Sequence, residues 1–236
     1  MSGPASILVV DDNTDIATSV ADILKNCGHR VDTANNGTDA IELVRDRSYD
    51  VVILDYQMPD MDGAEVYRQI RQIQSVTVAV MVTAFAGDNG VQDAIDAGTW
   101  RVLRKPMDVG ELLNLIEVAL NQKTVLLIDD DEEFCASIWG SLRHRGFRVG
   151  LAHDVTSAEH ELNSREYDVV LLDLHLGDIV SDELLDHLGQ SKGDPRVFIV
   201  NGLDKNDEAM KRVSNRRTNH IHYKPLAIDE VIDSLS

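Results

Sequence analysis

The sequence predicts an α/β protein made of two doubly wound, parallel-sheet domains in tandem. Three observations lead there. The chain has 236 residues, which at roughly 100–150 residues per domain suffices for two. Residues 7–55 align without gaps on 125–173, with 18 identities in 49 positions at an offset of 118. A repeat of that length is a duplicated domain and not a solenoid unit. Within each half, short apolar runs alternate with helical patterns, as in strand–helix units around an open sheet.

The first half offers five strand candidates: ILVV (7–10), RVDT (30–33), DVVIL (50–54), VAVMV (78–82) and RVL (101–103). Three are continuously apolar and β-branched, as expected of parallel strands covered on both faces. Between the first two, Ile16, Val20, Ile23 and Leu24 fall on one face of a helix. VGELLNLIEVAL (109–120) supplies a closing helix. The second half repeats the pattern with VLLI, RVGL, DVVLL, RVFIV and HIH. The domains are therefore placed at 1–122 and 123–236. Gln122-Lys123-Thr124 joins them without a Pro/Gly/Ser-rich spacer, which predicts a stiff junction. The chain stops eleven residues after Pro225, so the last helix is expected to lack its final turn.

Composition narrows the function classes. With 41 acidic and 22 basic side chains and a formal charge of −19, both halves repel a phosphate backbone, and direct nucleic-acid binding is not expected. No apolar run approaches the ~20 residues of a membrane span. No secretory signal pattern opens the chain. The two cysteines, Cys27 and Cys135, lie inside helical patterns and suit a reducing cytoplasmic compartment.

Polar residues gather where function sits in open α/β sheets, past the C-terminal strand ends. In the first half these are Asp11 and Asp12 after the first run, Asp55 after the third, Thr83 after the fourth and Lys105 after the fifth. Three ionised carboxylates together call for a cation, and Mg²⁺, which prefers oxygen ligands, suits them. A carboxylate is also a nucleophile towards phosphorus. Asp55, alone on the central strand, is the natural acceptor. Lys105 and Thr83 are placed to neutralise phosphoryl oxygens. Asp11-Asp12 alone would also read as a helix cap. Recurrence at Asp129, Asp130, Asp173 and Lys224 argues for the constellation.

These residues carry a resemblance. VVDDN, ILDYQMPDMDG, VTAF and Lys105-Pro106 resemble the receiver domain of bacterial two-component response regulators, and the resemblance covers nearly the whole chain in two copies. It implies a flavodoxin-like (βα)5 fold with strand order 2-1-3-4-5. It implies phosphorylation of Asp55 by a phosphohistidine donor, and one Mg²⁺ per competent site. In the first copy the metal would be held by Asp11 (through water), Asp12, Asp55 and the Gln57 carbonyl, and a cis Lys-Pro bond is expected. The matching ligands in the second copy are Asp129, Asp130, Asp173 and the His175 carbonyl. The implied partner is a sensor histidine kinase or a histidine phosphotransfer protein, with a downstream effector domain or protein. No enzymatic turnover is implied beyond self-phosphorylation and dephosphorylation.

Both copies depart from the pattern. Val102 stands where the family usually has a switching Tyr or Phe, so phosphorylation chemistry is expected without the usual aromatic readout. In the second copy Asn201 takes the place of Thr83, Ser181 that of Gly63, and LGDIVS (176–181) that of MPDMDG. His175 would line that site and influence phosphoryl hydrolysis. Asp173 is expected as a second acceptor, the alternative being a non-phosphorylated scaffold. A Mg²⁺-dependent aspartyl-phosphate phosphatase is the enzymatic alternative. Its Asp-x-Asp motif after the first strand is missing, because Asp11 and Asp12 are adjacent. A flavin-binding flavodoxin needs a Ser/Thr/Gly-rich loop where DDNTD stands.

Overall fold

The structure is a computed structural model. It describes residues 3–84, 88–173, 175, 176, 179, 180, 184, 188, 195–201, 220–224, 229 and 232. The chain divides into two compact units, 1–122 and 123–236.

In the first unit β1 (Ser6–Val10), β2 (Arg30–Ala34), β3 (Val51–Asp55), β4 (Val78–Thr83) and β5 (Arg101–Arg104) alternate with α1 (Thr14–Asn26), α2 (Gly37–Asp46), α3 (Gly63–Ile73), α4 (Asp88–Asp96) and α5 (Val109–Leu120). The strands are parallel, in the order β2-β1-β3-β4-β5. Period-two alternation sends their side chains to two cores. Leu8, Val10, Val52, Leu54 and Met81 pack with Tyr67 and Ile70 of α3 on one face. Ile7, Val9, Val51, Ile53, Val80 and Val82 pack with Val20 of α1 and Ile116 of α5 on the other. Both faces of β3 are thus covered, which explains its unbroken apolar run. The strand bounds move slightly from the expected ones: Asp55 and Thr83 are the last residues of β3 and β4, not the first after them.

In the second unit the sheet is β12-β11-β8-β6-β7, built from β6 (Thr124–Ile128), β7 (Arg148–Ala152), β8 (Val169–Asp173), β11 (Arg196–Asn201) and β12 (His220–Tyr223). Counted within the unit, this is again 2-1-3-4-5. Helices α6 (Glu132–His144) and α7 (Val155–Ser164) follow β6 and β7. Gly28 and Gly146 hold φ of 92° and 87° just after α1 and α6, the left-handed stop that only glycine takes freely. Apart from Asp229 and Ile232, both helical, the expected shortened last helix lies outside the described residues.

The units part ways after the central strand. In the first, Gly63 opens α3 with its N–H on the Tyr56 carbonyl at 2.9 Å. A Cβ there would collide with the Asp55 carbonyl oxygen and come within 2.7 Å of Met81 Sδ. Ser181, the corresponding place in the sequence, lies outside the described residues; ahead of it the second unit forms a short antiparallel hairpin, β9 (His175–Leu176) with β10 (Ile179–Val180), and Leu184 and Leu188 beyond it are helical. Gly63→Ala is therefore expected to destabilise the first unit by roughly 2–3 kcal/mol through forced displacement of the Asp55 backbone. A lowered urea midpoint checks this, and an unchanged midpoint would show that the strand end yields freely.

Candidate functional site

The sheet order puts the ends of β1 and β3 side by side. Asp11 follows β1 and Asp55 closes β3; both are buried, while Asp12 is exposed. Neither Asp11 nor Asp12 caps α1: Asn13 does, accepting from the Asp15 and Ile16 N–H groups. The helix-cap reading of the acidic pair therefore fails, and both carboxylates are left for the rim. Carboxylate oxygens of Asp11, Asp12 and Asp55 lie within 4.8 Å of one another. Asp11 Oδ1 accepts the Asn13 N–H (2.9 Å) and Asp55 Oδ1 that of Gln57 (3.3 Å). Their Oδ2 atoms face Lys105, whose Nζ is 2.7 Å from Asp55 and 3.0 Å from Asp11.

Lys105 reaches that position from the edge strand. Its backbone N–H donates to the Thr83 carbonyl at 2.8 Å, which ties the start of its side chain to the end of β4. The following Lys105-Pro106 bond is cis. Thr83 is itself buried.

The second unit reproduces this arrangement. Oxygens of Asp129, Asp130 and Asp173 lie within 4.8 Å of one another. Lys224 Nζ is 2.7 Å from both Asp129 Oδ2 and Asp173 Oδ2. Asp129 Oδ1 accepts the Asp131 N–H at 3.0 Å, and Asp173 Oδ1 accepts the His175 N–H at 2.9 Å. Asp131, not the acidic pair, caps α6. Asn201 ends β11 in register with Tyr223; its side chain lies outside the described residues. His175 is exposed.

Electrostatics follow from burial. Burial pushes the Asp55 carboxyl above its ordinary pKa; the Lys105 bond opposes this and the Asp11 charge adds to it. Burial raises Asp129 likewise, against Lys224 and the Asp131 N–H. For Lys105 and Lys224 burial acts downward, but the bonds to Asp55 and Asp11, and to Asp129 and Asp173, outweigh it and hold both ammonium groups above the usual value. Each site therefore sets three carboxylates against one lysine, with excess negative charge in a poorly solvated place. An all-oxygen donor set of this charge fits a hard divalent cation such as Mg²⁺.

A pH dependence follows. A carboxyl whose folded pKa is raised adds stability below its unfolded value, ~4, and that contribution is lost as pH rises through the folded pKa. Protons compete with the cation over the same window. The rise in melting temperature on adding Mg²⁺ is expected to be largest near neutral pH and to fade as pH drops towards ~4. A metal effect of equal size at both ends of that range would place the cation elsewhere.

The position of the missing switch aromatic is filled by Val102, in register with Met81 and packed on the α2/α3 core. Tyr56, next to Asp55, donates its hydroxyl hydrogen to Asp93 of α4 at 3.0 Å. Two contacts were not read from the sequence. Asp60 accepts from the Gly37 and Thr38 N–H groups at 3.3 and 3.1 Å, tying the loop after Asp55 to α2. The Phe134 ring stands 4.6 Å from Lys224 Nζ. The only advance signal for the latter was an aromatic residue aligned with Ile16 in the repeat.

Known proteins resemble this chain in both of its halves. The response regulator receiver domain family matches residues 7–117 and again 125–236. A response regulator receiver protein of Anaeromyxobacter sp. (strain Fw109-5) is 33% identical over 195 residues, 83% of this chain and 82% of that protein. Response regulator ArlR of Staphylococcus aureus (strain Mu50 / ATCC 700699) is 30% identical over 166 residues, 70% of this chain and 71% of its own length. A CheY-like receiver domain structure from Methanospirillum hungatei JF-1 is 26% identical, with a TM-score of 0.49, covering 50% of this chain and 95% of that one. Among the described residues no helix is long and apolar enough to cross a membrane. With two matches that together span nearly all of its length, the chain belongs to the response regulator receiver domain family, the phospho-acceptors of two-component signalling, and carries that domain twice.

Proposed function

We propose that each unit is a Mg²⁺-dependent phospho-acceptor in a cytoplasmic His–Asp relay, with Asp55 and Asp173 as the acceptors. The supporting observation is the shared lysine bridge: Nζ of Lys105 and of Lys224 stands 2.7 Å from the acceptor carboxylate and within 3.0 Å of its neighbour. Asp11, Asp12, Asp55 and the Gln57 carbonyl, and in the second unit Asp129, Asp130, Asp173 and the His175 carbonyl, would hold the metal. Bound there, Mg²⁺ neutralises the charge on the incoming phosphoryl oxygens.

The protein groups do the rest. A carboxylate oxygen of Asp55 forms the new O–P bond as the N–P bond of a phosphohistidine donor breaks, and the donor leaves as neutral imidazole. Lys105 then keeps its ammonium on the acyl phosphate, and the Thr83 hydroxyl donates to it. Asn201 offers an amide N–H₂ in that role in the second unit. The donor is a sensor histidine kinase or a histidine phosphotransfer protein, and the signal passes to a downstream effector domain or protein.

Intact mass after incubation with acetyl phosphate and Mg²⁺ tests the reading. Two phosphoryl additions per chain are expected, and none with a chelator present. One addition would make the second unit a scaffold. Steady release of phosphate from free esters would instead mark a phosphatase.

A further inference from the structure

The two sites differ in what lies against the lysine. In the first, Ile16, Val20, Pro106 and Met107 help line a cavity of about 320 Å³ that reaches Asp11, Asp55 and Lys105. In the second, the residue aligned with Ile16 is Phe134. Its N–H donates to Asp131 Oδ1 at 2.9 Å, the capping bond that fixes the first turn of α6. Its side chain packs on the core of the unit. Lys224 Nζ lies 4.6 Å from the ring centroid, inside the range of cation–π attraction, while keeping 2.7 Å contacts to Asp129 and Asp173.

The geometry points to Phe134 as a positioning residue that holds Lys224 over Asp173 and so speeds phosphoryl transfer to the second unit. This rests on reading Asp173 as an acceptor. Preorganisation is the physical reason. A lysine has a flexible four-carbon stem. Transfer is fastest when its charge already stands where phosphoryl oxygens will arrive, because nothing need reorganise at that moment. The capped helix fixes the Phe134 backbone, core packing holds its ring, and the ring gives the ammonium a third attractive surface besides the two carboxylates. Ile16 gives Lys105 no such surface.

The test uses the full chain carrying Asp55→Asn, so that only Asp173 loads, and follows intact mass over time with acetyl phosphate and Mg²⁺. Phe134→Leu is expected to load about fivefold more slowly, equivalent to about 1 kcal/mol. Phe134→Tyr keeps the aromatic face and is expected to load at the parent rate. Because the Phe134 side chain also packs on the core, the rates are read beside a signature that packing alone would not move. Should the Leu chain fold poorly, Phe134→Ile, the first unit's own residue, makes the same comparison. NMR supplies a second readout: ring current should shift the Lys224 ε-methylene protons upfield in the parent and the Tyr variant, and not in the Leu variant. Equal loading by Leu and parent, or unshifted ε-methylene protons in the parent, overturns the proposal alone. A parent that takes no phosphoryl group overturns the second-acceptor reading, and the proposal with it.

Discussion

Asp55→Asn is expected to abolish phosphoryl loading of the first unit while leaving its fold intact. The amide has the shape of the carboxylate and can still accept the Gln57 N–H that Asp55 Oδ1 receives at 3.3 Å. It is not a nucleophile towards phosphorus. The change also leaves two carboxylates where three stood within 4.8 Å, so Mg²⁺ binding at that rim weakens too. The variant should gain one phosphoryl group fewer than the parent, and the double variant Asp55→Asn/Asp173→Asn none. An Asp55→Asn chain that loads as fully as the parent would move the acceptor to another residue.

Lys105→Ala is expected to lower the stability of the first unit. The lysine is the only side-chain cation bonded to the Asp11–Asp55 pair among the described residues. Removing one partner of a fully buried ion pair costs ~3–5 kcal/mol. Lys105 keeps 25% side-chain exposure, so solvent offsets part of that, and a loss of about 2 kcal/mol is expected. For a domain of this size that lowers the melting temperature of the first unit by roughly 10 °C. The Asp55 carboxyl, already raised by burial, rises further. Added Mg²⁺ should therefore restore more stability to the variant than to the parent, measured by thermal melts with and without the metal. A variant as stable as the parent without metal would mean that the rim carboxylates are solvated and the lysine dispensable.

Much of this was legible in the sequence because the signals were redundant. The β-branched runs of β1, β3 and β4 recur in the second half, and each ends in the polar residue that the sheet order gathers at one rim. One-residue differences at the strand ends arose because Asp55 and Thr83 still pair with neighbouring strands, Asp55 with Val82 and Thr83 with Arg104. The β9–β10 hairpin was not legible. Its strands are two residues each, too short for any period-two pattern to register. The lysine bridges were legible as residue types but not as distances. The Phe134–Lys224 contact joins residues 90 positions apart in the chain, so pattern reading along one helix could not reveal it. The domain boundary was marked by the repeat offset and not by a flexible linker.

Each carboxylate trio is expected to accept metal and phosphoryl together. Fluorine NMR of the full chain with Mg²⁺ and beryllium fluoride, a mimic of the phosphoryl group on a carboxylate, tests this most directly. Two sets of bound fluorine resonances are predicted, one lost in Asp55→Asn, the other in Asp173→Asn, and both lost without Mg²⁺. Bound signals that persist without the metal, or that survive both substitutions, would contradict it.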